Sequence, residues 1–195
     1  MKLHVKRKPT LIPSNTMTSS ELIQLYQNWN VYDSKQSIRD KIVLGLFVFQ
    51  AIHSYELKYL TISDINFDKM LIIIKQNNRS NERNISIDIN QLIDLKNFVD
   101  NIRHQFNNNS DLLIVTDREK NSIQSILGII SKKLTKKNTS FSLIRTSRIK
   151  HWITLYNLRQ VQYLCGHKYI SSTERYITTD IESLKKSVIK HHPFE

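Results

Sequence analysis

Apolar side chains recur at helical spacing along almost the whole chain, and the spacing changes to strand-like alternation in one stretch only. Helical spacing starts after Thr18, which forms a capping-box pattern with Glu21. The alternating runs 70–75 and 84–89 flank a polar loop, residues 76–83. The pattern predicts an α+β fold, mostly α, with one small antiparallel β-hairpin.

The predicted elements follow from this spacing and from the turn residues between them. After the helix that starts at Thr18, we expect helices near 37–49 and 55–60, the hairpin strands 70–75 and 84–89, a helix over 90–104, an edge strand near 111–116, and helices near 121–137, 142–155, 158–165, 172–178 and 181–190. Residues 1–17 form a basic N-terminal arm, and residues 18–195 form a single domain.

Composition excludes several classes of protein. The single cysteine, Cys165, allows no intramolecular disulfide and no cysteine-rich zinc site. The N-terminus has no apolar signal region, and no apolar run is long enough to span a bilayer. We therefore expect a cytoplasmic protein without membrane association.

Positive charge is concentrated in one part of the sequence. The formal net charge is +12. The segment from Lys120 to Thr173 contains no Asp or Glu, although it carries ten basic side chains. Folding alone does not require a long segment to lack acids, whereas contact with a phosphate backbone does. The distribution predicts a nucleic-acid partner and, with it, a nucleoid-associated location.

A sequence motif near the C-terminus narrows this prediction. The segment Leu164-Cys-Gly-His-Lys-Tyr-Ile-Ser-Ser-Thr-Glu-Arg-Tyr176 places a tyrosine nine residues after a Gly-His pair. Upstream lie Leu143-Ile-Arg145 and the segment Gln50-Ala-Ile-His-Ser-Tyr-Glu-Leu57. Together these resemble the Gly-His…Tyr, His-x-x-Arg and Gly-Leu-Arg-x-x-Glu-Leu boxes of the tyrosine recombinase (phage integrase) family. The residues of these segments are most similar to those of short integrases of mobile elements.

The resemblance implies a site-specific recombinase that joins DNA to a tyrosine through a 3′-phosphotyrosyl ester. It implies that Tyr176 is the nucleophile, that Arg145 binds the phosphate and that His167 belongs to the site. The family's β-hairpin carries a lysine that protonates the leaving 5′ oxygen. We expect Lys75 in that role, with Arg79 as the alternative. The resemblance implies no metal and no cofactor.

Two positions depart from the family pattern. His53 stands where the first arginine is usual, and Ser142 stands where the second box has histidine. A histidine lacks the bidentate fork of arginine and is mostly neutral at pH 7. Three readings stay open: Arg79 or Arg148 replaces the missing charge, the enzyme is slow, or the chain is a degenerate relic.

The predicted partner is double-stranded DNA, on which the resemblance implies a homotetramer that holds two DNA sites. The expected DNA-binding side chains are Arg79, Arg148, Lys132, Lys133, Lys136, Lys137 and Lys168. The resemblance also implies that residues 18–195 are a catalytic domain without a separate core-binding domain. The alternatives are a non-enzymatic DNA-binding regulator on the same fold, a helix-turn-helix regulator and a topoisomerase.

Overall fold

A computed structural model of the chain describes residues 15–29, 31, 34–106, 110–116 and 123–177. Residues 1–14 of the predicted arm and the predicted helix over 181–190 lie outside these residues. The helices are α1 (Ser19–Gln27), α2 (Lys35–Gln50), α3 (Ile89–Asn97), α4 (Ile123–Thr135), α5 (Phe141–Leu155), α6 (Leu158–Cys165) and α7, described over 171–177. The strands are β1 (Ile65–Asn66), β2 (Leu71–Ile74) and β3 (Arg83–Ser86).

The observed architecture confirms the predicted class, mostly helical with a small antiparallel sheet. Short 3₁₀ turns at Glu56–Lys58, Ile62–Asp64 and Arg103–Gln105, and a π turn at Phe98–Ile102, complete the connections. The 3₁₀ turn Glu56–Lys58 replaces the predicted helix over 55–60. The predicted 90–104 helix is α3 followed by the π and 3₁₀ turns.

Helix α2 lies at the centre of the main core. Every residue from Ile42 to Gln50 is buried, because α2 contacts α1, α3, α4 and α5. The helix begins at Lys35, earlier than predicted, because the Ser34 hydroxyl accepts a hydrogen bond from the Ser37 backbone N–H. At α1 the predicted capping box between Thr18 and Glu21 is present. Within the described ranges, no helix combines the length and apolarity that crossing a bilayer requires.

The sheet is three-stranded and antiparallel, in the order β1-β2-β3. β2 pairs with β3 in a register that places Ile72 opposite Ile85 and Ile74 opposite Arg83. β3 therefore starts one residue earlier than predicted, and Arg83 faces inward in phase with Ile85. The predicted edge strand near 111–116 is wrong, since this segment forms only an isolated bridge from Leu112 to Thr61.

A second, smaller cluster supports the C-terminal helices. Ala51, Ile149, Trp152, Val161 and Cys165 are buried together, and Tyr176 packs against them. This cluster joins the end of α2 to α5, α6 and α7. The loop after α2, the second turn of α5 and α7 are consequently held close to one another.

Candidate active site

A cleft of about 810 Å³ opens where the loop after α2, the hairpin tip, α5 and the segment from Cys165 to Tyr176 meet. It brings together His53, Arg145, His167 and Tyr176, and Arg79 also lines it. Ser142 lies at its edge on the first turn of α5. Of the described residues that line the cleft, none carries a carboxylate. The cleft is therefore suited to an anionic ligand.

Tyr176 lies on α7 with its ring stacked against the His167 ring, at a centroid distance of 6.0 Å and an interplanar angle of 16°. Burial raises the pKa of Tyr176, and the nearby Arg145 cation opposes that rise. The tyrosine is consequently a phenol at neutral pH, and it can act as a nucleophile when a bound phosphate is presented to it.

Arg145 is positioned by the second turn of α5, which the Ser140 hydroxyl caps. Its Nη2 donates to the Cys165 backbone carbonyl at 3.3 Å. Its Nη1 is buried and has no hydrogen-bond partner in the described part of the chain. A buried guanidinium nitrogen without an acceptor is costly, so an anionic oxygen in the cleft would satisfy it.

Two neutral imidazoles accompany this arginine. Burial and then Arg145 lower the pKa of His53 to about 4, and the same two causes lower the pKa of His167 to about 4. The His167 Nδ1 lies 2.9 Å from the hydroxyl of the buried Thr173, which fixes the ring and leaves Nε2 for a ligand. Neither imidazole therefore contributes a full charge at neutral pH.

A buried ion pair lies behind the cleft, and the sequence reasoning missed it. Glu56 accepts two hydrogen bonds from Arg83, each 2.8 Å long, one from the Ser80 hydroxyl at 2.7 Å and one from the His53 backbone N–H at 2.7 Å. We call these residues, with the carboxylate of Glu56 at their centre, the Glu56 brace. Burial opposes ionisation of Glu56, but the Arg83 contacts outweigh it and the pKa lies below its ordinary value. The brace joins the His53 loop to the hairpin.

The glycine of the Gly-His pair is required by this brace. Gly166 ends α6 in the left-handed region at φ 67°. A Cβ at this position would lie 2.4 Å from Arg83 Nη1. The Asn81 N–H also donates to the Gly166 carbonyl at 3.0 Å, and Ser80 forms a bridge with His167. The hairpin loop and the segment that carries His167 are thus bound to each other.

The structure does not bring Lys75 into the cleft. Its Nζ lies 2.6 Å from Asp64 Oδ1, in a separate cavity of about 300 Å³. The expectation that Lys75 is the hairpin cation beside the phosphate therefore does not match its position here, because Asp64 provides it with a local counter-charge. Arg79, at the loop tip, is the hairpin cation that lines the cleft.

The other predicted DNA contacts differ in exposure. Arg148 is only 8% exposed and its Nε donates to the Val48 backbone carbonyl, so its position does not match the expectation of a DNA-facing side chain. Lys133 lies 3.6 Å from Asp40 Oδ2, and both Lys133 and Lys137 lie over the Trp29 ring. The exposed members of the set are Lys132, Lys136, Lys137, Lys168 and Arg79.

A search of the described residues for three or more clustered His, Cys, Asp or Glu side chains finds none that could hold a metal ion. The described side chains that line the cleft instead offer nitrogen atoms of arginine and histidine, the phenols of Tyr55 and Tyr176, and serine and threonine hydroxyls. These groups bind anions through hydrogen bonds and charge.

Comparisons with known proteins identify the family to which the chain is related. The model of the phage integrase family matches residues 15–182. Tyrosine recombinase XerA of Pyrococcus furiosus is 28% identical over 162 residues, which are 79% of this chain and 55% of that protein. Tyrosine recombinase XerC of Staphylococcus aureus is 23% identical over 167 residues, or 83% of this chain and 56% of that protein. The chain thus spans just over half the length of these curated relatives.

Solved structures share the fold at low sequence identity. XerH site-specific recombinase bound to its palindromic difH substrate, in a post-cleavage complex, has a TM-score of 0.73 at 18% identity, covering 90% of this chain and 52% of that one. XerA recombinase has a TM-score of 0.69 at 18% identity, covering 97% and 67%. Because the family model covers most of the chain, and because the fold agrees with it, this protein belongs to the phage integrase family.

Proposed function

We propose that the chain is a site-specific DNA recombinase that cleaves and rejoins double-stranded DNA through a covalent tyrosine intermediate, without a metal ion. The observation that carries the proposal is the position of Tyr176 in a carboxylate-free cleft with Arg145 and His167. A nucleophile, a guanidinium with an unused donor and a neutral imidazole around one cavity are the groups that transesterification of a phosphodiester requires.

In the proposed step, a bond forms between Tyr176 Oη and phosphorus while the bond from phosphorus to the 5′ oxygen breaks. The phenolic proton is lost, and the leaving 5′ oxygen takes up one proton, so the step consumes no water. Charge grows on the two non-bridging oxygens, where Arg145 Nη1 would donate. The 3′-phosphotyrosyl ester keeps the phosphodiester energy, and attack by a 5′ hydroxyl reverses the step.

The resemblance assigns protonation of the leaving oxygen to the hairpin lysine. Lys75 would have to leave Asp64 before it reaches a phosphate in the cleft. His167, whose Nε2 remains available, is the neutral group that lies beside Tyr176. On this reading His167 holds a phosphate oxygen or accepts the phenolic proton.

DNA binding and assembly complete the proposal. XerH is described as bound to a difH DNA substrate, and the Tn1549 transposon integrase as bound to transposon right end DNA. We propose that this chain binds double-stranded DNA through its acid-free segment, that it assembles as a homotetramer on two sites, and that it serves a mobile element. Residues 18–195 act as the catalytic domain in this proposal.

A catalytically degenerate DNA-binding regulator is the second candidate, favoured by His53 and Ser142 at positions where the family has charged or basic groups. A suicide-substrate assay separates the two. A nicked duplex that contains flanking genomic DNA should trap a covalent protein–DNA adduct with the wild type. Tyr176→Phe should bind the same DNA and form no adduct, because only a hydroxyl is lost. An adduct at wild-type yield with Tyr176→Phe would refute the assignment of the nucleophile.

A further inference from the structure

Position 53 leaves the proposed site one permanent charge short. His53 lies in the cleft, but its imidazole is neutral, since its pKa is near 4. The transition state of phosphoryl transfer carries charge on more than one non-bridging oxygen. Arg145 alone offers one unused nitrogen to that charge. A second guanidinium is therefore expected from elsewhere in the chain.

Two of the available cations are excluded by their contacts. Arg148 is buried with its Nε donating to the Val48 carbonyl, and although its Nη2 has no partner among the described residues, it does not line the cleft. Lys75 is paired with Asp64 in the other cavity. Arg175 and Arg79 both line the cleft. Arg175 lies on α7, directly before Tyr176. Arg79 lies on the hairpin loop, on the same side of the cleft as His53.

The backbone of Arg79 is held by a closed turn. Its N–H donates to Asn77 Oδ1 at 2.7 Å, and the Asn77 N–H donates to the Ser80 carbonyl at 3.0 Å. The buried Ser80 hydroxyl then donates to Glu56. The Cα of Arg79 is thus fixed to the same brace that positions His53.

The side chain of Arg79 points to the place of the missing charge. Its guanidinium carbon lies 5.4 Å from the centroid of the Tyr55 ring, and that ring lies 4.2 Å from the His53 ring. The cation–π contact and the tilted contact between the two rings therefore set Arg79, Tyr55 and His53 side by side. Among the described residues no carboxylate pairs with Arg79, so its bidentate fork stays available to a ligand.

We propose that Arg79 supplies the second guanidinium to the scissile phosphate, that Tyr55 positions it, and that it replaces the charge of an arginine at position 53. This inference rests on the proposed function. An arginine at position 53 would place a further cation beside Arg79, and a neutral histidine avoids that repulsion. The site thus keeps the positive charge that the family has at position 53, but Arg79 of the hairpin loop supplies it.

The test measures single-turnover cleavage of a suicide duplex and of the same duplex with a 5′-bridging sulfur. Arg79→Ala should slow both reactions about a hundredfold, as for one lost transition-state donor. The sulfur leaving group needs no proton, so rescue of Arg79→Ala by sulfur would make Arg79 a proton donor and overturn the proposal. Lys69→Ala removes a charge from the exposed turn before β2 and should cleave normally.

Further variants test the replacement of charge, the role of Tyr55 and the alternative of Arg175. The double variant His53→Arg/Arg79→Ala should cleave at least tenfold faster than Arg79→Ala, because it places a guanidinium back in the space that Arg79 leaves. Tyr55→Leu should lower the rate, whereas Tyr55→Phe, which keeps the ring, should restore it. A larger defect in Arg175→Ala than in Arg79→Ala would assign the second guanidinium to Arg175 and refute the proposal.

Inorganic phosphate binding separates this inference from the proposed function. If the wild type binds DNA but forms no adduct, the recombinase proposal fails. Phosphate titrated into the protein and followed by ³¹P NMR then decides the question of Arg79. Arg79→Ala should weaken phosphate binding at least tenfold relative to Lys69→Ala. Equal affinity in the two variants would overturn the role of Arg79.

Discussion

Replacing Glu56 by glutamine removes the charge at the centre of the Glu56 brace while keeping the size of the side chain. The Arg83 side chain is 0% exposed and that of Glu56 is 2% exposed, so the change leaves a guanidinium buried without a counter-charge. Whichever oxygen it replaces, the glutamine amide nitrogen would face an Arg83 N–H and either the Ser80 hydroxyl or the His53 backbone N–H. Breaking a buried pair in this way costs about 3–5 kcal/mol of unfolding free energy.

Urea unfolding at pH 7 measures this cost. With a slope of about 2–3 kcal/mol per molar urea, the midpoint of Glu56→Gln should fall by about 1–2 M. Glu82→Gln, an exposed substitution in the same loop, should stay within about 0.5 kcal/mol of the wild type. The double variant Glu56→Gln/Arg83→Met should recover part of the loss, since it removes the stranded charge. A loss below about 1 kcal/mol in Glu56→Gln would refute the importance of the brace.

Acidification provides an independent check on the same residue. The folded pKa of Glu56 lies below its ordinary value of 4.5. Its contribution to stability is therefore complete above that ordinary value and is lost as the pH falls through the folded pKa. The difference in unfolding free energy between wild type and Glu56→Gln should shrink on acidification through this range. A difference that stays constant down to about pH 3 would show that the charge of Glu56 is not its source.

Three other outcomes are expected. Arg145→Ala should bind DNA but cleave it at least about a hundredfold more slowly in the suicide-substrate assay, and near-normal cleavage would place the phosphate clamp elsewhere. Charge reversal at the exposed Lys132 and Lys136 should lower the salt dependence of DNA binding by about two in slope; an unchanged slope would make them a solvated face. Because the pKa values of His53 and His167 lie near 4, the pH–rate profile of cleavage should show no imidazole inflection between about pH 5.5 and 8.

Local signals in the sequence were sufficient for most of the helical elements and for the motif residues of the cleft. The Thr18 cap depends on a contact three residues away, so spacing alone predicts it. The Gly-His…Tyr spacing placed His167 and Tyr176 together because one short turn and one helix join them. The family resemblance implied that Arg145 belongs to the site, and the packing of α5 on α6 brings it there.

The sequence could not predict which charged side chains are available to a ligand, because contacts between distant segments determine this. Lys75 and Arg79 are both cations of the hairpin, and only the position of Asp64 shows which of them is neutralised. Arg148 lies on a helix that is buried on several sides, so its periodicity does not separate it from exposed neighbours. Arg83 was missed because the strand was predicted to start at Asn84. Its two-residue spacing from Ile85 was the available signal, since it marks an inward-facing arginine that needs a carboxylate.

The hydrogen bonds that bind the hairpin loop to the end of α6 also limit how this loop can change in length. One added residue extends a chain by about 3.3–3.6 Å, whereas hydrogen bonds tolerate only about 0.5 Å. An insertion between Asn77 and Asn81 would break the turn or the bond to Gly166. Length variation is therefore restricted to the exposed residues outside this turn, at 75–76 and at Glu82. A loop grafted from another recombinase will keep this site intact only if it preserves the four-residue spacing from Asn77 to Asn81.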